Sequence, residues 1–273
     1  MALTVNTNLL SLNAQRHLEE TGQSLSTSLE RLSSGLRINN AYDDAAGLAI
    51  ADRLGADVRI ASQAIRNAND GLSALAIGEK ALGRNTEILT RLSELASESA
   101  TGLVTNVQRS AIQAEFSALL SEIDRISATT TFNGVQLLSA GTTVAIQVGL
   151  DGSTNSQISF TTVDGTKSGI GLNSVAVSDQ ASAQSALGLL ASAITNVAQT
   201  RGSLGAYESR LITAIDSLRV AVENFGAAES RIRDADVAAE TANLTRANIL
   251  QQAGTAVLAQ ANQQPSLALT LLR

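Results

Sequence analysis

Apolar side chains recur along this chain at alternating spacings of three and four residues, a repeat that leaves few folds open to it. This spacing is typical of helices that pack along one face against neighbouring helices. One such stretch covers residues 43–99, a second and shorter one is expected to stop at Asn133–Gly134, and a third lies between Leu187 and Phe225. We predict that these helices share an intramolecular seam formed by Leu54, Val58, Ile65, Leu72, Leu75, Ile112, Phe116, Leu119, Ile123, Leu211, Ile215, Leu218 and Val222.

Two polar residues, Arg201 and Glu208, occupy seam positions of the third stretch where apolar residues are expected. One interpretation is that both long side chains reach out of the seam to solvent. The other is that they form a polar pair that sets the register of the helices. Periodicity does not decide between them.

Between the second and third stretches the apolar period changes from helical to two. Apolar and polar residues alternate over residues 144–150 and again over 158–160, with a turn signal at Asp151–Gly152. This pattern predicts an antiparallel β-hairpin. This hairpin element covers residues 139–177, and its content of Ser, Thr, Gly and Asp, which continues through Ala183, predicts that it is the least core-like part of the chain.

The two ends of the chain are amphipathic helices without aromatic residues, over residues 18–36 and 244–261. We expect them to pair with each other, to order fully only on assembly, and to mediate polymerisation. The predicted fold class is mainly α, a long antiparallel coiled-coil rod with a small β-hairpin and paired terminal helices. Its domains would be a terminal-helix core (1–42 and 228–273), a helical rod (43–138 and 178–227) and the hairpin element (139–177). The predicted assembly residues are Leu18, Leu25, Leu29, Leu32, Leu36, Leu244, Leu250, Val257 and Leu258.

Charge and hydropathy exclude several classes of function. The net charge is −6 and Lys80 and Lys167 are the only lysines, so a nucleic-acid-binding surface is not expected. No apolar run approaches the roughly 20 residues of a membrane span. The first residues lack the basic and apolar regions of a cleavable signal peptide, and we expect neither membrane insertion nor such a signal.

The sequence offers little material for catalysis. It contains no cysteine and a single histidine, His17, so neither a thiolate nucleophile nor a histidine metal site is expected. Its acidic pairs, such as Asp43–Asp44, suit helix ends. We predict no catalytic residues, no metal, no cofactor and no enzymatic activity.

Several long segments resemble the bacterial flagellins. The resemblance covers about residues 1–138 and 185–273, and its motifs occur in the family's order. The matching segments are residues 30–39 (ERLSSGLRIN), 43–50 (DDAAGLAI), 66–71 (RNANDG), 132–135 (FNGV), 230–236 (SRIRDAD) and 249–263 (ILQQAGTAVLAQANQ).

The resemblance implies a structural subunit that polymerises with itself into the helical flagellar filament used for swimming. It implies export through the flagellar type III apparatus, a place in the extracellular filament, and a short form with only core and rod layers. The partners it implies are an export chaperone at the C-terminal helix and the hook-associated junction and cap proteins.

Two other functions stay open at this point. A hook–filament junction protein would share the ends and the rod but would not polymerise into long filaments. A surface protein that binds a polysaccharide or a receptor would use residues 141–177, and their deletion would abolish binding while leaving filaments intact. The vertebrate innate flagellin receptor is a further partner that the resemblance implies, at a candidate patch formed by Arg91, Leu95 and Glu115.

Overall fold

The computed structural model describes residues 7–139 and 141–271, with the side chains of 265–271 left out. Its described residues form five α-helices and four short strands. The helices are α1 (Leu9–Ser34), α2 (Ala45–Ala100), α3 (Asn106–Thr129), α4 (Gln180–Arg233) and α5 (Val237–Leu271). The strands are β1 (Thr131–Phe132), β2 (Val135–Gln136), β3 (Thr143–Gln147) and β4 (Gln157–Thr161). The predicted class, mainly helical with a small β-hairpin, is confirmed.

Two aspartates at the start of α2 accept hydrogen bonds from backbone N–H groups, a role that this residue type favours. The Asp44 carboxylate accepts a hydrogen bond from the backbone N–H of Gly47 at 2.8 Å, which satisfies a free donor in the first turn of α2. Asp43 turns back instead, and its carboxylate accepts from the backbone N–H groups of Asn39 and Asn40. These bonds, that of Asn40 foremost, hold the pKa of Asp43 below its ordinary value.

The chain divides into two compact units. The terminal unit comprises the residues up to Ala56 and those from Asn224 onward, and the central unit comprises Asp57–Glu223. The sequence had suggested divisions after residue 42 and after residue 227. Part of α2 and part of α4 belong to each unit.

In the central unit one row of α2 residues is buried at strict spacings of three and four. The row uses Ala64 and Gly71 where the sequence pattern had favoured the neighbouring Ile65 and Leu72, which lie half-buried against the same core. Small and polar residues thus take several of the deepest positions. The complete row is Ala61, Ala64, Ala68, Gly71, Leu75, Gly78, Leu82, Asn85, Leu89, Leu92, Ala96 and Ser99.

The other predicted seam residues fall into three groups. Leu75, Phe116, Ile123, Leu211 and Ile215 are buried in the main core, and Leu218 is buried in a smaller cluster with Ala61 and Ala64. Ile112 and Leu119 pack half-buried against the main core, and Val222 packs against the smaller cluster. Leu54 and Val58 are half-buried on α2.

Arg201 pairs with Glu79 of α2 and not with Glu208. Its Nε and Nη2 both donate to Glu79 Oε1, at 3.1 and 2.5 Å. The polar residue at this seam position of α4 therefore forms an ion pair with a residue of α2, a contact that neither interpretation of the sequence had specified.

The end of α3 differs from the prediction. The helix ends at Thr129, before Asn133–Gly134, and these two residues form the tight turn between β1 and β2. Both have positive φ, 48° for Asn133 and 80° for Gly134. A two-residue turn between antiparallel strands requires positive φ at both of its central residues, and Asn-Gly is the preferred sequence for it.

The predicted β-hairpin is formed by β3 and β4, with Val144 opposite Phe160 and Ile146 opposite Ile158. Ile146 packs over Gly71 of α2 so closely that an added methyl group at Gly71 would overlap its Cδ1. The amide of Asn67 on α2 also donates to the carbonyl oxygen of Gln147 at 3.2 Å. The hairpin is thereby fixed on α2.

Residues 162–179, the segment between β4 and α4, contribute apolar side chains to the core, contrary to the expectation from their composition. The side chains of Ile170, Leu172, Val175 and Val177 are buried in it. An irregular backbone that is buried needs partners for its polar groups. Polar side chains of the helices supply them: Asn85 donates to Gly165 O, Ser99 donates to Val177 O, and Asp124 and Gln113 accept from the backbone N–H of Lys167 and Val177.

Candidate assembly surface on the terminal helices

In the terminal unit α1 and α5 pack against each other in antiparallel orientation. The start of α1 meets the C-terminal part of α5, because Ser11 Oγ donates to Asn262 Oδ1 at 2.8 Å. The end of α1 meets the first turn of α5, where Ser28 Oγ donates to Glu240 Oε1 at 2.5 Å. The two helices therefore run side by side over most of their lengths.

Each helix presents to the other a row of buried or half-buried residues spaced alternately by three and four, as in a two-stranded coiled coil. On α1 the row is Ser11, Ala14, Leu18, Thr21, Leu25, Ser28 and Leu32. On α5 it is Glu240, Leu244, Ala247, Gln251, Gly254, Leu258 and Ala261. Many of these residues are small or polar, so the seam between the two helices buries little apolar bulk.

The predicted assembly residues separate into two sets. Leu18, Leu25 and Leu32 of α1, with Leu244 and Leu258 of α5, lie half-buried in the seam of this pair. Leu18 reaches the backbone of Gly254, with its Cδ1 3.1 Å from the position that a Cβ would take there. This set holds the pair together within one chain.

The other set faces solvent. Leu29 and Leu250 are each 52% exposed, and Val257 is 59% exposed. Further large apolar side chains of the unit that the sequence pattern had not singled out are exposed as well. They are Leu9, Leu10, Leu12, Ile50, Val237 and Ile249. Where such side chains form a continuous patch, the patch marks a binding site for another protein.

Leu36 lies outside both sets, in the loop after α1. Its backbone forms an isolated antiparallel bridge with Asp234, between α4 and α5. The backbone N–H of Arg37 donates to Arg233 O at 2.6 Å, and its guanidinium donates to the free carbonyl of Ile232 at 2.6 and 3.2 Å. Two motifs that are distant in sequence, residues 30–39 and 230–236, therefore join the two halves of the unit.

The candidate receptor patch is only partly at the surface. Arg91 donates two hydrogen bonds to Glu115 Oε1, at 2.9 and 3.1 Å, and one to Glu94 Oε2 at 3.0 Å. These bonds, that with Glu94 foremost, raise the pKa of Arg91. Leu95 does not share this surface, since it is 2% exposed and packs in the main core.

Neither a metal centre nor a membrane-spanning helix is found among the described residues. Over residues 7–139 and 141–271, no group of three or more His, Cys, Asp or Glu is placed to hold a metal ion. His17 lies on the exposed face of α1, with its Nδ1 3.1 Å from Glu20 Oε2. No helix in the same part of the chain combines the length and apolarity needed to cross a bilayer.

Comparison with known proteins decides the family. Residues 5–143 match the bacterial flagellin N-terminal helical region, and residues 187–272 match the bacterial flagellin C-terminal helical region. The chain belongs to the bacterial flagellin family. Like other flagellins it is an exported structural subunit of the flagellar filament, as the resemblance had implied.

Individual flagellins are similar over nearly the whole chain. The flagellin of Halalkalibacterium halodurans is 42% identical over 272 residues, which are 99% of this chain and 100% of that protein. The flagellar filament 33 kDa core protein of Treponema phagedenis is 38% identical over 290 aligned residues, with the same two coverages. The crystal structure of Bacillus cereus flagellin aligns with 56% of this chain and 88% of its own, at 28% identity and a TM-score of 0.51.

Proposed function

We propose that the outward apolar surface of the α1–α5 pair is the surface through which copies of this flagellin contact one another in the filament. The observation that carries the proposal is the exposure of large apolar side chains on both helices. Leu9 is 70% exposed, Ile249 61% and Val257 59%, although five leucines of the pair are half-buried in its seam. The pair thus leaves several of its large apolar side chains uncovered within one chain.

A second copy of the same chain fits this surface because flagellins polymerise with themselves. A head-to-tail contact that does not close into a ring builds an open helix. Each added subunit then covers the apolar side chains of its neighbours, and the hydrophobic effect supplies about 25 cal/mol for every Å² of apolar surface that is removed from water.

The test compares serine substitutions at two aliphatic residues that are equally exposed, one in each unit. Leu250 in the terminal unit and Ile212 on α4 of the central unit are each 52% exposed. We expect Leu250→Ser to raise the critical concentration for polymerisation of the purified full chain by about tenfold or more, the effect of removing 1–2 kcal/mol of apolar burial. Ile212→Ser should have a much smaller effect. Equal effects of the two variants would show that the terminal helices are not the dominant contact.

The remaining partners that the family implies stay predictions: the export chaperone, the hook-associated junction and cap proteins, and the vertebrate innate receptor. For the receptor, the support lies in the exposed Arg91–Glu115 pair on α2 and α3. Arg91→Ala should weaken the response of receptor-bearing cells to monomeric protein, and an unchanged dose response would reject that role for the pair.

A further inference from the structure

We propose that the buried hydrogen bond between Ser28 and Glu240 sets the register in which α1 and α5 pair, so that Glu240 is a positioning residue for filament assembly. The inference rests on the proposed function of this helix pair, since register matters only if the pair presents an assembly surface. The register of the pair then depends on this polar contact and not on the apolar side chains of the seam.

The seam itself specifies register poorly. Bulky side chains that interlock at unequal intervals would resist sliding, but the leucines of this seam recur at heptad positions, with Gln251 at the position between Leu244 and Leu258, and most of the residues between them are small. Displacement of α5 by one heptad would bring residues of similar size opposite each other along most of α1. Such a slip would also move every outward side chain of α5 along α1 by about 10 Å.

Polar groups inside a coiled-coil seam discriminate between registers, because a shifted register leaves them buried without partners. Ser28 is 5% exposed and Glu240 is 8% exposed, and their side chains meet at 2.5 Å. A guanidinium nitrogen of Arg31, one turn after Ser28, lies 4.0 Å from the other carboxylate oxygen of Glu240. In a slipped pair the Glu240 carboxylate would lose both partners.

The position of Glu240 strengthens this discrimination. Glu240 lies in the first turn of α5 and Arg31 lies in the last turn of α1. A negative charge at a helix start and a positive charge at a helix end are each stabilised by the helix dipoles. The native register therefore places two charges that the helix dipoles stabilise beside each other, at one end of the pair.

The absence of cysteine from this chain allows register to be read by disulfide formation between introduced cysteines. Ser11→Cys with Asn262→Cys reports the native register, because these side chains are in contact at 2.8 Å. Two further pairs report slips of one heptad in either direction: Ser11→Cys with Thr255→Cys, and Leu18→Cys with Asn262→Cys. Each pair is introduced into the full chain and oxidised in a kosmotropic salt, which strengthens apolar burial and should therefore favour polymerisation.

The variants compared in each cysteine background are Glu240→Leu, Glu240→Gln and Gln251→Leu. We expect Glu240→Leu to lower the ratio of native to slipped disulfide by about tenfold or more, the discrimination that a charge-assisted hydrogen bond provides. Glu240→Gln retains an acceptor for Ser28 and should keep the native register. Gln251→Leu replaces another polar seam residue and should leave the ratio unchanged.

Three results would overturn the proposal. Native disulfide alone in Glu240→Leu would show that packing sets the register. Loss of native and slipped disulfides together would show that Glu240 stabilises the pair without selecting its register. A slip in Gln251→Leu as large as in Glu240→Leu would show that any change in the seam is sufficient. These results are independent of the Leu250→Ser test, so the assembly surface and its register can fail separately.

Discussion

Arg109 donates a hydrogen bond from its Nε to the carbonyl oxygen of Ser99 at 2.9 Å, across the corner between α2 and α3. A second guanidinium nitrogen donates to Thr101 O at 3.0 Å, and the side chain is only 7% exposed. The last carbonyls of a helix have no partner within it, and a cation there also interacts favourably with the helix dipole. Arg109→Gln should therefore lower the free energy of unfolding by about 2–4 kcal/mol, measured by urea denaturation of the monomer.

A matched control is Arg219→Gln on α4. Arg219 pairs with Asp216 at 3.2 Å, but both side chains are 65% exposed, and exposed pairs of this kind contribute about 1 kcal/mol or less. If Arg109→Gln is as mild as Arg219→Gln, then water satisfies the carbonyls at this corner and the buried guanidinium is not needed.

Two glycines of α2 should respond differently to alanine. An added methyl group at Gly83 meets no atom within 4 Å, so Gly83→Ala should stabilise the chain by about 1 kcal/mol through helix propensity. Gly71→Ala should give less than this gain, because Ile146 Cδ1 has to move away. Combination with Ile146→Val removes that methyl group, and a double-mutant cycle by thermal melting should show favourable coupling. Additive effects would contradict the packing of Ile146 over Gly71.

The buried position of Gly71 also separates the parts of the fold that the sequence predicts from those that it does not. The helical repeat follows from the large apolar residues, and their spacing predicted the helices and the pairing of the ends. The deepest row of α2 does not follow from them, because Gly71, Asn85 and Ser99 occupy core positions for reasons outside the helix. Gly71 leaves room for Ile146 of the hairpin, and Asn85 and Ser99 donate hydrogen bonds to the carbonyl oxygens of Gly165 and Val177. Hydrophobic periodicity carries no signal for such contacts.

For a similar reason, the sequence predicted only part of the candidate assembly surface. Amphipathicity identified leucines on α1 and α5, but one helix can bury one stripe against its partner and expose another. Leu258 lies in the seam and the adjacent Val257 faces solvent. Only the direction of the partner helix separates these roles, and the contacts that reveal it, such as that of Ser28 with Glu240, join residues 212 positions apart in sequence.

Acid should weaken the start of α4 through Asp179. Its carboxylate accepts from the hydroxyl of Ser182 at 2.6 Å and from the backbone N–H of Ser182 at 2.9 Å, and these bonds hold the pKa of Asp179 below its ordinary value of 3.8. A lowered pKa means that the folded state favours the ionised form. The stabilisation is therefore present above about pH 4 and is lost as the pH falls through the lowered pKa.

The measurement for Asp179 is the melting temperature of the wild type and of Asp179→Asn as a function of pH. The asparagine keeps a capping oxygen without the charge, so the wild type should be the more stable near neutral pH, and the difference should vanish on acidification. Ser182→Ala should reduce the same difference, because it removes the hydroxyl donor. A constant difference between wild type and Asp179→Asn at all pH values would show that the effect is not linked to ionisation.

Removal of residues 245–273 should give a soluble helical protein that does not polymerise. The deletion takes away the seam residues from Ala247 onward and the exposed Leu250 and Val257, while the main core of the central unit remains intact. Circular dichroism should show retained helix with a cooperative melt, and light scattering under polymerising conditions should stay flat. Normal filament growth from the truncated chain would contradict the assignment of the assembly surface.

Amide hydrogen exchange should separate the two units before assembly. The seam between α1 and α5 buries mainly small and polar residues, whereas the central unit buries Leu89, Leu92, Phe116 and Leu211 almost completely. Local opening is easiest where the least apolar surface is buried. In the monomer we expect rapid exchange along α1 and α5 and slow exchange along the core face of the central unit. In the filament α1 and α5 should become protected, since neighbouring copies then cover their outward residues. Strong protection of α1 and α5 already in the monomer would show that the pair is stable by itself, and ordering on assembly would then be wrong.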